Sequence, residues 1–519
     1  MTKKIRILWT DDEIGMLKAH ILFLEEKGYS VDTCSGGRET IELVRSNSYD
    51  MLFLDEHMPG LSGIDTLRAV KEIRPELPVV MITKSEEEDI MNAAIGSKIA
   101  DYLIKPVKPG QILLAIKKIT ERGRLVTETT TTGYREEFST INSMINGARD
   151  SSDWISIYKK LVHWELQLDN SSDPGLAEIF RMQEQEANNA FSRFISRNYL
   201  EWFTAAESPK PLMTPSVLSH SLFPMLKRGE KVFLIVIDNL RYDQWQVIRN
   251  EMTGLVGSVQ ENLYFSILPT ATQYARNSLF SGMMPSEIVR RYPQYWVNDD
   301  SSEGKNNHEA SLLGLNLERA GIKCRWGYEK IGSNQSGKKV NDNLSDLLRN
   351  DLSVLVYNFI DLISHARTDT DVLRELAADE SAYRSITRSW FIHSPLAELL
   401  KKLQGSGVKI MLTTDHGTIR VNNPVKVVGD RQTSPNLRYK LGRNLNYNVK
   451  EVFAVRDPSL AHLPKTNITS SYIFATGASF LIYPNNYNHF ASYYNDTFQH
   501  GGISLQEMIV PLIIMEPSE

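Results

Sequence analysis

The chain reads as α/β throughout, in three parts, and three patterns predict it. Short apolar runs alternate with amphipathic segments over roughly the first 120 residues. Apolar and aromatic residues at helical spacing fill the middle. Longer, uninterrupted apolar runs return beyond residue 206, separated by further helical segments. Alternation of strand and helix favours a parallel sheet covered on both faces, and unbroken apolar strands favour one buried on both sides.

The bulk numbers bound the classes. The 519 residues exceed what one core holds, so two or three domains are expected. With 58 basic against 63 acidic residues the net charge is −5, which disfavours a dedicated duplex-DNA binder. Two cysteines, Cys34 and Cys324, cannot build a disulfide framework. The chain enters an apolar run directly after Met1-Thr2-Lys3-Lys4, leaving no room for a signal peptide, and no run has the length of a membrane span. A cytoplasmic protein is expected.

In the first part, strands are predicted over Ile5–Trp9, Met51–Leu54, Val79–Ile82 and Asp101–Ile104, with helices over Met16–Lys27 and Gly37–Ser46. The strands run out at Asp11-Asp12, Asp55, Thr83 and Lys105-Pro106. In a parallel sheet these ends gather at one edge, where ligands bind. Three carboxylates there repel one another, and Mg²⁺ relieves the repulsion while neutralising an incoming phosphoryl group. Lys105 can pair with an acyl phosphate and the Thr83 hydroxyl can hydrogen-bond it. These residues, with Leu-Asp-Glu-His-Met-Pro-Gly around Asp55, resemble a response-regulator receiver domain over residues 1–122. The resemblance implies Asp55 as phospho-acceptor, Asp11, Asp12 and Asp55 around Mg²⁺, Lys105 on the acyl phosphate, and Thr83 with Tyr102 as the switch pair. It implies that His57 contributes only its backbone carbonyl, so its side chain is not taken as a ligand.

Residues 123–205 begin with a Thr-rich connection. Trp154, Tyr158, Leu161 and Leu168, then Leu176, Ile179, Ala187, Ala190, Phe191 and Phe194, fall at helical spacing, with Pro174-Gly175 breaking the run between them. A small helical bundle is expected, its aromatic stripe a core, acting as a coupling spacer or a dimer surface. No DNA-reading motif is present, which makes a transcription-factor output the weakest reading. Ser208-Pro209-Lys210-Pro211 marks the next boundary.

Residues 206–519 carry apolar runs at Val232–Ile237, Val354–Phe359, Val408–Leu412, Ala478–Ile482 and Met508–Met515, with helices predicted over Asp369–Ala382 and Ser389–Gln404. Asp238, Asp361 and Asp415-His416 stand just beyond three of the strands. Thr272 lies in a Pro-Thr-Ala-Thr turn, His365 is four residues after Asp361, and His500 precedes the last strand. Carboxylate and imidazole donors suit Zn²⁺, and a threonine hydroxyl on zinc ionises readily enough to attack phosphorus. His220, His308, His393, His462 and His489 lack a strand end with a carboxylate partner and are set aside.

The order Asp238, Pro269-Thr270-Ala271-Thr272, Asp361-Leu-Ile-Ser-His365, Thr414-Asp415-His416-Gly417 and His500-Gly501-Gly502 resembles the alkaline phosphatase superfamily, the PglZ branch most closely. It is also similar to the nucleotide pyrophosphatase/phosphodiesterase members. The resemblance implies Thr272, not Thr270, as nucleophile, one zinc on Asp238, Thr272, Asp415 and His416, and a second on Asp361, His365 and His500. A phosphothreonine intermediate, then its hydrolysis, is the implied chemistry. Neither Arg276 nor Asn277 is chosen as the residue that steadies developing charge. A monoesterase's extra metal set and phosphate-gripping Arg are not found, which points to diesters.

A receiver followed by a PglZ domain resembles the PorX-like response regulators tied to type IX secretion. That implies phosphodiesterase action on cyclic or linear oligonucleotides, a cognate histidine kinase, a phosphorylation-dependent homodimer and a sigma factor as a further partner. The alternative from another class is a zinc-binding, non-catalytic regulator that binds a nucleotide or a protein such as a sigma factor.

Overall fold

The computed structural model describes residues 5–83, 99–107, 109–169, 174–204, 210–298, 303–369, 379–430, 433–465 and 467–518, without the side chains of 104, 114, 117–118, 120–132, 174 and 365–369. It divides into two compact units, Met1–Gly133 and Tyr134–Glu519.

The first unit is a five-stranded sheet of β1 Arg6–Thr10, β2 Ser30–Cys34, β3 Met51–Asp55, β4 Val79–Thr83 and β5 Asp101–Ile104, in the order β2-β1-β3-β4-β5. Every pairing is parallel. β3 and β4 are buried at every position, as unbroken apolar strands should be. Leu8, Leu52, Leu54 and Met81 form the core of one face, and Ile7, Trp9, Phe53 and Ile82 that of the other. Helix Gly37–Ser46 has the expected bounds, whereas the segment from Met16 divides into a single turn, Ile14–Leu17, and helix Lys18–Glu26. β2 escaped the sequence reading because Ser-Val-Asp-Thr-Cys lies on the sheet edge and buries only Cys34 fully.

The second unit is built on a six-stranded sheet. Its strands are β6 Val232–Ile237, β7 Val256–Phe265, β8 Trp326–Ile331, β9 Leu352–Tyr357, β10 Lys409–Thr413 and the strand Ile509–Pro517. Their order is β7, 509–517, β10, β6, β9, β8. β10, β6, β9 and β8 are parallel, while 509–517 runs antiparallel to β10 and β7. The ends of β10, β6 and β9, the start of 509–517 and the end of β7 therefore share one edge. Ser479–Ile482, expected among the large apolar strands, pairs instead with Asn423–Lys426 in a separate two-stranded ladder. The single helix expected over 389–404 is two, Glu380–His393 and Pro395–Lys402, because Ser394 caps the second by accepting from Ala397 N and Pro395 opens it. Of the helix expected over 369–382, residues 370–378 lie outside the described residues, as do Ser208 and Pro209 of the expected boundary.

Helices Ser151–Leu168 and Pro174–Asn198 carry the aromatic stripe. Asp150 closes a capping box with Asp153 at the start of the first. Tyr134, Trp154, Tyr158, Phe191 and Tyr199 are buried in one continuous core with Phe233, Ile235, Trp245 and Phe265. The stripe is core, as expected, but it packs onto the sheet domain instead of closing a bundle on itself. Ionic links reinforce the contact. Buried Arg384 pairs with Glu165 at 2.5 Å, Asp169 at 2.6 Å and Asp243 at 3.0 Å.

Candidate active site

Three neighbouring parallel strands deliver the carboxylates. Asp238 follows β6, and its N–H donates to the Tyr357 carbonyl at 2.8 Å. Asp415 stands two residues beyond β10, and Asp361 lies in helix Phe359–Asp369 directly after β9. Thr272 opens helix Thr272–Ser281, whose first turn has no side-chain cap. A helix start with uncapped N–H groups favours an anion.

The turn separates its two threonines. Thr270 is fully buried, donates to the Gly502 carbonyl at 2.9 Å and accepts from Gly501 N at 3.1 Å. Thr272 is half-buried, with Oγ1 3.0 Å from His416 Nε2 and 3.5 Å from Asp238 Oδ1. Asp238, Asp415 and His416 each offer a ligand atom, all within 4.8 Å of one another. One oxygen of Asp415, Oδ2, is buried with no hydrogen-bond partner.

His416 Nδ1 lies 3.1 Å from the Gly417 carbonyl and His500 Nδ1 lies 3.2 Å from the Thr270 carbonyl. A carbonyl only accepts, so each Nδ1 carries the proton, and a neutral ring then presents its Nε2 lone pair to the site. Those nitrogens face carboxylate oxygens, His416 Nε2 at 3.7 Å from Asp415 and His500 Nε2 at 3.8 Å from Asp361. Lone pair against carboxylate is repulsive unless a cation lies between them. Backbone carbonyls fixing the outer ring nitrogen are the usual support of metal-binding histidines. The donor set fits a metal ion.

The two halves of the site touch. The His416 and His500 rings stack with centroids 4.3 Å apart. Asn239, with φ 64°, donates its backbone N–H to Asp415 at 3.3 Å and its side-chain amide to Asp361 at 3.3 Å. Asn tolerates this left-handed backbone better than most side chains. His365 is on the same helix as Asp361, but its side chain lies outside the described residues.

Sequence reading left Arg276 and Asn277 without roles. Arg276 is buried and pairs with Asp238 at 2.9 Å, Glu309 at 2.8 Å and Asp415 at 3.8 Å. It is a fixed counter-charge to these carboxylates, one helical turn from Thr272. Asn277 donates to the Lys305 carbonyl at 3.2 Å, and Asn306 donates to Asn277 at 3.4 Å and to the Thr272 carbonyl at 3.0 Å. These bonds tie residues 305–306 over the start of the helix. Burial pushes the Asp238 carboxyl well up despite Arg276, and Asp415 and Asp361 add to the rise. The pocket holds more negative charge than one guanidinium offsets.

A second cluster lies in the first unit. Asp11, Asp12 and Asp55 offer carboxylate oxygens within 4.8 Å of one another, an all-oxygen set that fits Mg²⁺. Lys105 Nζ is 2.9 Å from both Asp11 and Asp55. Burial pushes the Asp55 carboxyl up, Lys105 opposes this and Asp11 adds to it. Thr83 is buried at the end of β4, and Lys105 N donates to its carbonyl at 2.7 Å. Tyr102 on β5 is 43% exposed. The His57 side chain, 58% exposed, points away from a ligand role.

Comparison with known proteins assigns each part. Residues 7–117 match the response regulator receiver domain, 124–203 the PorX response regulator linker domain, and 217–515 the BREX system PglZ alkaline phosphatase-like domain. The transcriptional regulatory protein ResD of Bacillus subtilis (strain 168) is 31% identical over 121 residues, 23% of this chain and 50% of ResD. The alginate biosynthesis transcriptional regulatory protein AlgB of Pseudomonas syringae pv. tomato is 35% identical over 116 residues, 22% of this chain and 26% of AlgB. The chain thus spans a quarter to a half of these curated relatives. A solved response regulator receiver domain protein from Clostridium thermocellum is 33% identical, covering 23% of this chain and 98% of that one, with TM-score 0.22. Among the described residues no helix is long and apolar enough to cross a membrane. The PglZ match covers more than half of the chain, so the chain belongs to the PglZ alkaline phosphatase-like family, as a PorX-like regulator in which a receiver and a linker precede a hydrolase-like effector.

Proposed function

We propose that this chain is a cytoplasmic two-component response regulator whose effector is a two-zinc phosphodiesterase acting on cyclic or linear oligonucleotides, in the regulation of type IX secretion. The observation that carries the reading is Thr272 Oγ1 beside Asp238 and His416 at an uncapped helix start. Asp238, Thr272, Asp415 and His416 would hold one zinc, and Asp361, His365 and His500 the other. Bound there, the ions supply Lewis-acid neutralisation of phosphoryl charge and ease ionisation of a hydroxyl.

The protein's own groups do the rest. Thr272 Oγ1 bonds to phosphorus as the opposite P–O ester bond breaks, and the hydroxyl proton ends on the departing alcohol. Water then cleaves the phosphothreonine, restoring the hydroxyl and releasing a phosphomonoester. The helix start directs N–H groups at the phosphoryl oxygens. Arg276 is engaged by Asp238 and Glu309, so it holds the ligands in place and does not grip a monoester dianion. This favours diesters.

Asp55 would be phosphorylated by a cognate histidine kinase, with Asp11, Asp12 and Asp55 holding Mg²⁺. Lys105, now shared between Asp11 and Asp55, would turn to the acyl phosphate, with Thr83 and Tyr102 as the switch and a homodimer as the result. A sigma factor is a further partner on this reading.

The test pairs elemental analysis with hydrolysis of bis-p-nitrophenyl phosphate and p-nitrophenyl phosphate. About two zincs per chain and preferential diester cleavage, lost in Thr272→Val, are expected. Zinc without cleavage of either ester, with or without beryllofluoride on Asp55, would leave the non-catalytic zinc-binding regulator.

A further inference from the structure

Outside the phosphoesterase site, residues between 428 and 494 line a cavity of about 490 Å³ that opens to solvent. Ligand pockets of small organic molecules have this size. Leu437 and Leu481 line it together with Tyr483, Phe490 and Tyr494. Phe490 and Tyr494 are four residues apart on helix Tyr487–Tyr494, so both rings stand on one helix face, stacked at 6.1 Å.

Among the lining residues Lys440 is the buried cation. Lys440 lines the cavity and is 1% exposed. Its Nζ donates to the Pro435 carbonyl at 3.1 Å and lies 4.6 Å from the Tyr483 ring centroid. Among the described residues no carboxylate pairs with it. Asp430, also on the cavity wall, pairs with Arg443 at 3.4 Å. Burial alone pulls the Lys440 ammonium down to about 7. A buried ammonium without a counter-ion is costly, and lysines usually reach water to avoid this.

The cavity is distinct from the catalytic cleft. Both border strand Tyr439–Arg443, whose successive side chains point to opposite faces. Tyr439 packs against Gly501, next to His500, so closely that a Cβ on Gly501 would lie 2.7 Å from its ring. Lys440, the next residue along the strand, lies on the opposite face and is among the residues that line the cavity.

We propose that this cavity is a second binding site, for a small ligand with one acidic group on a planar body. The acid would pair with Lys440 and the ring would lie against Tyr483, Phe490 and Tyr494. A nucleotide phosphate and an aryl carboxylate share this chemistry.

Fluorescence titration of the full-length protein with 8-anilino-1-naphthalenesulfonate, a sulfonate on planar rings, tests it. One saturable site per chain is expected, weakened about tenfold or more in Lys440→Met, the cost of a lost buried charge pair. Diester hydrolysis should be unchanged. Affinity should fall as pH rises through Lys440's value in the native protein and stay level in Lys440→Arg, which keeps its charge. Asp430 keeps its Arg443 partner in both proteins, and burial raises the Tyr483 hydroxyl, which donates to the Ser434 carbonyl, so the comparison with Lys440→Arg isolates Lys440. Displacement by adenosine 5′-monophosphate and not benzoate assigns the phosphate, and the reverse assigns the carboxylate. Displacement by neither, or binding to Lys440→Met equal to the native protein, overturns the proposal.

Discussion

Thr270 and Thr272 sit in one turn and should fail in different ways. Thr272 offers its hydroxyl to the ligand cluster, so Thr272→Val should lower diester turnover by about 10³-fold or more while stability changes by less than about 1 kcal/mol. Thr270 joins the Gly501-Gly502 backbone, so Thr270→Val should cost about 1–3 kcal/mol in a denaturant melt and leave hydrolysis by the folded fraction intact. Swapped phenotypes would reassign the nucleophile. Residue types and strand ends nominated His416 and His500, and the resemblance to the alkaline phosphatase superfamily carried the choice over the other histidines. Arg276 was not readable in the same way. Its role depends on Asp238, Glu309 and Asp415 converging on one guanidinium from separate stretches of chain.

Among elements, the central strands and the edge strand β5 were legible, and the other edges were not. β6, β9 and β10 are unbroken apolar runs because both faces are covered. β2, β7 and β8 are half-wetted edge strands whose mixed composition carries no clear period. Ionic pairs reinforce the apolar contact between the helical layer and the sheet domain. Arg384→Met would leave Glu165 and Asp169 without their cation, Asp243 keeping Arg241, and should cost about 3–5 kcal/mol by urea unfolding. Glu184, on helix Pro174–Asn198, accepts from Gln506 at 2.6 Å, six residues after His500. Burial pushes its carboxyl up to about 8, and neighbouring Glu165, itself held at about 7 by burial, adds to this. An acid that binds its proton more tightly when folded contributes fully below the unfolded value, about 4.3, and loses that contribution as pH rises toward 8. Glu184→Gln keeps the acceptor and removes the charge. It should match the native protein in urea melts at pH 4 and exceed it by about 1–2 kcal/mol at pH 8.5.

For the whole molecule, the division at Gly133–Tyr134 makes residues 134–204 part of the effector's core. A fragment from residue 124 onward should fold and cleave diesters. One from residue 206 onward would expose the sheet face that Trp154, Phe191 and Tyr199 cover, and should be insoluble by sedimentation. In the intact chain, beryllofluoride on Asp55 should raise the sedimentation coefficient to that of a dimer, and Asp55→Asn should abolish the change. Equal sedimentation in both states would remove the dimer from the regulatory account.

The sequence by itself determined the α/β class, the two sheets and the residues that end their central strands. Those follow from local hydrophobic period and from carboxylates placed where strands stop, both properties of neighbouring residues. Tertiary structure decided which threonine faces the ligands, that two imidazoles turn their lone pairs inward, and that the helical middle is core to the effector. It also decided that Lys440 lies buried beside a cavity lined by aromatic rings. Each of these depends on groups distant in sequence meeting in space, and no local pattern encodes such a meeting.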